Sequence, residues 1–171
     1  MKDKINLWVS IDEETWNKWE EYVNDNYKEG WFHNRLGIPE ETRKFQIIRG
    51  HVAQELIAKW LDDLLPYKVE VNLEIGKDMH DTDTKRGKPD VLINGKKIDI
   101  KISKLIRADY KKYDLILIAE YVDVDNIKGF DIKGYWRTKD LKIEDMDKMP
   151  GDYLLPRKRF SRMITFEKSL R

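Results

Sequence analysis

"GKPDVLINGKKIDIKIS", residues 87–103, is the stretch from which the fold is read. Asn-Gly is the favoured pair for a two-residue type I′ hairpin turn, because both central positions need positive φ. With Asn94 and Gly95 at the turn, the register is forced. Ile93 then faces Lys96, Leu92 faces Lys97, Val91 faces Ile98, and Asp90 faces Asp99. Alternation along the strands sends Val91, Ile93, Ile98, Ile100 and Ile102 to one side and Asp90, Asp99 and Lys101 to the other.

Facing residues lie roughly 4.5–5.5 Å apart at Cβ, so two ionised carboxylates placed this way repel unless a cation sits between them. Hard divalent ions such as Mg2+ or Mn2+ take a few carboxylate oxygens and complete their shell with water and phosphate oxygens. Lys101, two residues from Asp99, is placed to hold or help deprotonate a water that attacks phosphorus. Acid, acid and lysine around one point are the groups that phosphodiester hydrolysis uses. The competing reading is a solvated hairpin face on which Lys97 and Lys101 neutralise the aspartates.

Before the hairpin, Val69, Val71, Leu73 and Ile75 alternate with Glu70, Asn72 and Glu74, which predicts a half-buried strand, and residues 76–88 read as a polar loop. Further back, Pro39-Glu40-Glu41 opens a helical region in which Ile48, Val52, Leu56, Trp60 and Leu64 form an apolar stripe, closed by Pro66. Gly50 weakens its middle, leaving one helix or two. An earlier helix is capped by Ser10 or Asp12, carries Trp16, Trp19 and Val23 at helical spacing, and ends at Gly30, after a short strand over Ile5 to Val9. Beyond the hairpin, Lys104 to Lys112 reads as a basic helix. "YDLILIAEYVDV" is an apolar run suited to a central strand, and "KGFDIKGYWRT" gives another. Residues 139–156 read as loop, and "RMITF" as a last strand or helical turn. Helices packed on a mixed sheet make the fold class α/β (α+β).

The 171 residues, 40% hydrophobic with six tryptophans, suit one domain over 1–171, of which 1–49 form a helical N-terminal elaboration. There is no cysteine, so disulfides, Cys-ligated zinc and iron–sulfur clusters are excluded. No secretory signal pattern opens the chain and no apolar run approaches the roughly 20 residues of a membrane span, so a cytoplasmic protein is expected. The net charge of +1 hides a gradient: the segment from Ile11 to Glu29 is acidic, and Lys101 to Lys112 and the tail are basic. Separated signs allow a basic face for a polyanion.

Pro89-Asp90, a short gap, then Asp99-Ile100-Lys101 resembles the PD-(D/E)xK motif of the restriction-endonuclease-like nucleases. The likeness covers residues 50–141 and includes the preceding helix and strand, the hairpin carrying both halves of the motif, and the apolar strand that follows. It implies a restriction endonuclease-like core whose mixed sheet presents the active site on a β-hairpin flanked by helices. It also implies a Mg2+-dependent (or Mn2+-dependent) deoxyribonuclease that leaves 5′-phosphate and 3′-hydroxyl ends. Asp90 and Asp99 would be metal ligands, the Ile100 carbonyl a third, and Lys101 the catalytic lysine. A helix glutamate often joins such sites. Glu55 is the candidate here, although the acid of some relatives aligns with Gln54. Backbone contacts to DNA fall to Lys104, Arg107, Lys111, Lys112, Arg157, Lys158 and Arg159, with Lys85, Arg86 and Lys88 in the loop that leads to the site. A homodimer is expected by the same analogy.

His33, His51 and His80 are isolated, and the acids of residues 78–83 lack the glycine and terminal glutamate of a calcium loop. No GxxxxGK[ST] phosphate loop is present, so no ATPase activity is expected. Two other functions remain open from the sequence: a catalytically silent nucleic-acid-binding protein of the same fold, and a regulatory protein-interaction module docking through its acidic N-terminal helix.

Overall fold

The computed structural model describes residues 5–27, 37–72, 89–107, 109–149, 152–155 and 161–171. The polar loop before the hairpin and the basic stretch 157–159 lie outside them.

Strand β1 (Trp8–Ser10) leads into helix α1 (Glu13–Asn26). Asp12 caps that helix by accepting the Thr15 N–H at 2.7 Å, and Glu13 and Glu14 in the first turn favour its positive end. The helix stops at Tyr27, short of the expected Gly30. Helix α2 (Glu40–Leu64) starts after Pro39 and runs unbroken through Gly50. The ~1 kcal/mol that a mid-helix glycine costs is outweighed by a buried face comprising Ile47, Ile48, Val52, Ala53, Leu56, Ile57, Ala58 and Leu61. Residue 49 therefore falls inside a continuous helix, and β1 is part of the main sheet.

That sheet has six strands in the order β1-β7-β6-β4-β3-β2. They include β2 (Val69–Val71), β3 (Val91–Ile93), β4 (Lys96–Lys101), β6 (Leu115–Val124) and β7 (Ile127–Arg137). Strands β4 and β6 are parallel and the other neighbours antiparallel. A parallel pair needs a crossover of a dozen or more residues. Here the crossover holds β5 (Leu105–Arg107) and a 3-10 turn at Tyr110–Lys112, in place of the expected basic helix.

Strand β5 joins a second, three-stranded sheet in the order β5-β9-β8, with β8 at Asp147–Met149 and β9 at Asp152–Leu154, inside a stretch expected to be loop. Met163–Thr165 forms a 3-10 turn and Phe166–Ser169 a short helix, α3. The described residues thus form a mixed α+β fold with three helices.

Core residues lie on both faces of the main sheet. Leu115, Leu117 and Ala119 of β6 pack into the cluster shared with α1 and α2. Ile116 and Ile118 pack into a second cluster with Ile106, Tyr110, Leu141, Met146 and Leu155. Burial on both faces is why β6 reads as a nearly continuous apolar run. Among the described residues no helix is long and apolar enough to cross a membrane.

Candidate active site

The hairpin forms in the expected register. Asn94 and Gly95 have φ of 49° and 75°, and the pairs are Val91 with Ile98, Leu92 with Lys97 and Ile93 with Lys96. Val91, Ile93, Ile98 and Ile100 are buried in the cluster beneath the helices, with Ile102 packed against it. Asp90, Asp99 and Lys101 therefore belong to the opposite face.

One rung beyond Val91 and Ile98, Asp90 stands across from Asp99. The same register carried one residue further would set Pro89 opposite Ile100. Strand pairs that exchange hydrogen bonds alternate with pairs that do not, and the pair closing a two-residue turn is bonded. Ile93/Lys96 and Val91/Ile98 are thus bonded pairs, and Pro89/Ile100 is next in the series. Proline has no N–H to give. The Ile100 N–H donates to the Asp90 carboxylate at 2.8 Å. The N–H and C=O of a strand residue leave on the same side, so the Ile100 carbonyl is directed to the Asp90 side of β4, and a proline at 89 has no N–H to give it.

Asp99 lies in the middle of β4 with its side chain 7% exposed, and its Oδ2 is 3.2 Å from the Lys101 ammonium, whose side chain is 29% exposed. Lys101 reaches toward solvent while Asp99 is enclosed. Asp90 is half-buried as a residue, with its carboxyl turned inward. Burial pushes that carboxyl well above the ordinary carboxylate range, and the charge of Asp99 and a hydrogen bond with it push the same way. Lys101 and the Ile100 N–H pull it back only in part.

Helix α2 sends two neighbouring side chains in different directions. The carboxylate of Glu55 takes the Lys18 ammonium and the Trp19 indole N–H, each at 2.6 Å, so Glu55 joins α2 to α1. Among the described residues no three acids or histidines gather in a way that could hold a metal, so Glu55 is not brought to Asp90 and Asp99. Gln54 points the other way. Its amide donates to the main-chain carbonyls of Asn72, at 2.5 Å, and Asp90, at 3.2 Å. The sequence signal for this lies in the helix phase: Gln54 shares a row with Ile47, Ala58 and Leu61, all buried, and is the polar member of that row.

Of the predicted DNA contacts, Lys104 and Lys111 are exposed and Lys112 pairs with Asp109 at 2.7 Å. Arg107 lies on β5. Lys85, Arg86, Lys88, Arg157, Lys158 and Arg159 lie outside the described residues, as do His33 and His80. His51 stacks on Trp19 with ring centroids 4.8 Å apart, away from the acids.

The donor set fits a hard divalent cation. It offers carboxylate oxygens from Asp90 and Asp99 and a main-chain carbonyl at Ile100, which leaves positions for water and phosphate oxygens. No protein-family model matches the chain, and no curated protein or solved structure matches it.

Proposed function

We propose that the protein is a cytoplasmic metal-dependent nuclease with a restriction endonuclease-like core, hydrolysing DNA phosphodiester bonds to 5′-phosphate and 3′-hydroxyl ends. The observation that carries this reading is the convergence of Asp90, Asp99 and Lys101 at the open end of one hairpin, where burial first and the charge of Asp99 second raise the Asp90 carboxyl well above its ordinary range. Asp90, Asp99 and the Ile100 carbonyl would hold Mg2+ or Mn2+. When bound, the ion supplies positive charge for the phosphate oxygens and makes water a better nucleophile. Asp99 keeps the Lys101 ammonium within the site, where it orients the attacking water and faces the charge that builds on the phosphate. Lys104 and Lys111, with the basic residues of the flanking segments, would hold the DNA backbone, and their contribution weakens steeply with salt. A homodimer would serve where both strands are cut.

Purified protein incubated with plasmid, single-stranded and branched DNA in Mg2+ or Mn2+ tests the proposal. Cleavage by the wild type that disappears in Asp99→Asn and in Lys101→Met supports it. Cleavage that persists in both variants places the chemistry elsewhere.

A further inference from the structure

Gln54 lies over the junction of β2 and β3. The last described rung between β2 and β3 is the Asn72 N–H donating to the Asp90 carbonyl at 2.9 Å. The Gln54 amide spans the rung from the helix side, giving N–H groups to the carbonyls of Asn72 and Asp90. The Asp90 carbonyl thus receives two donors, and its carboxylate receives a third from Ile100.

We infer that Gln54 is a positioning residue: by bracing the backbone at Asp90 it sets how the Asp90 carboxylate meets Asp99. This rests on reading the two aspartates as cation ligands. Fixing the carbonyl fixes the peptide plane, and with it the direction in which the Asp90 side chain leaves the strand. Both partners of the Gln54 amide are carbonyl oxygens, so the role needs N–H donors. A glutamate at 54 would turn carboxylate oxygens toward two acceptors and release the brace. A residue acting as a ligand behaves in the opposite way, because glutamate there would add a charged oxygen for the cation.

The test compares Mn2+ binding by the full chain as wild type, Gln54→Met and Gln54→Glu, using electron paramagnetic resonance, together with the amide proton shift of Ile100 in Mn2+-free protein. Methionine keeps the volume of the side chain and removes the donors. Both variants are expected to weaken Mn2+ binding about 10- to 100-fold, the usual effect of losing a group that orients a ligand. In Gln54→Met the Ile100 amide proton is expected to move upfield as its bond to Asp90 loosens. The inference is overturned if Gln54→Met binds Mn2+ as the wild type does with the Ile100 amide unmoved, or if Gln54→Glu binds more tightly. A wild type that binds Mn2+ but leaves DNA intact removes the nuclease reading without touching Gln54. A wild type that binds no Mn2+ removes the ligand reading, and the Ile100 amide then decides the role of Gln54 alone.

Discussion

Asp90 accepts the Ile100 N–H through its carboxylate at 2.8 Å, so a side-chain oxygen continues the tie between β3 and β4 beyond the Val91–Ile98 pair. The hydrogen bond ties an acid to the strand that carries Asp99 and Lys101, and it holds the three groups in register whatever is bound between them.

The acid pair makes stability depend on pH. Asp90 holds its proton more tightly in the folded chain than in the unfolded one. The folded chain therefore binds more protons from the ordinary carboxylate range up to the raised value, and stability falls as pH climbs through that window. Cation binding needs the carboxylate, so Mg2+ affinity rises over the same window. Asp90→Asn removes the charge and keeps an oxygen for the Ile100 N–H. It is expected to raise the metal-free melting temperature at neutral pH by about 2–4 °C, equivalent to about 1 kcal/mol, and to abolish stabilisation by Mg2+. Melting curves across pH, with and without the ion, check both outcomes.

Lys101→Met separates binding from chemistry. The variant keeps most of the side-chain length and loses the ammonium that pairs with Asp99. Mn2+ affinity is expected to hold or rise, because a competing cation has left Asp99. The cleavage rate is expected to drop by about 100-fold or more, the scale of a lost proton-handling group. Equal losses in binding and rate would make Lys101 a structural counter-ion only.

Glu55 belongs to a different task from its neighbour. Glu55→Ala leaves the indole N–H of Trp19, a residue only 5% exposed, without its partner. An unsatisfied buried donor costs about 1–3 kcal/mol. The expected result is a lower melting temperature with Mn2+ affinity unchanged, measured on the same samples.

The hairpin was legible in the sequence because its determinants are local. The Asn-Gly turn and the alternation around it fix the register without reference to the rest of the chain, and both agree with the structure. Strand β6 was legible for a similar reason, since burial on both faces leaves an apolar run. The crossover was not. Ile106 and Tyr110 lie four residues apart, a helical spacing, yet both are buried because β5 pairs with β9, almost fifty residues away in the chain. Three-residue strands such as β8 and β9 carry too little pattern to announce themselves, and distant pairing overrides local preference. At the site, Asp90, Asp99 and Lys101 followed from the hairpin alone. Choosing between Gln54 and Glu55 required knowing which side of α2 meets the β2–β3 edge; the row of Ile47, Ala58 and Leu61 marks Gln54 as core-facing but does not name the strand it meets.

Gly129 gives the edge strand its seat. A Cβ added there would meet the Trp8 ring at Cε2, 2.7 Å away, and the Val9 carbonyl at 2.7 Å. The ring could swing aside, but the carbonyl belongs to the backbone of β1, which pairs with β7 at this point. Gly129→Ala is therefore expected to cost about 1–3 kcal/mol, as overpacking does, and to raise hydrogen exchange at the β1–β7 rungs. The acids at the far end of the sheet should bind Mn2+ as before.

Pro89 is the residue whose replacement speaks most directly to how the hairpin opens a site. With no N–H, it cannot donate to the Ile100 carbonyl. Pro89→Ala supplies the missing donor, so the ladder can extend by one bonded pair across the mouth of the site. The metal-free protein is then expected to melt at the same temperature or slightly higher, since the new hydrogen bond, worth about 1 kcal/mol, offsets the greater freedom of alanine in the unfolded chain. Mn2+ affinity is expected to fall several-fold, because the Ile100 carbonyl is then engaged by the new donor. Hydrogen exchange at the new amide and Mn2+ titration on one sample decide the point. A protected amide at position 89 with weakened Mn2+ binding supports this account of the proline. Unchanged affinity despite a protected amide would remove the Ile100 carbonyl from the ligand set and leave Asp90 and Asp99 as the only protein oxygens on the ion.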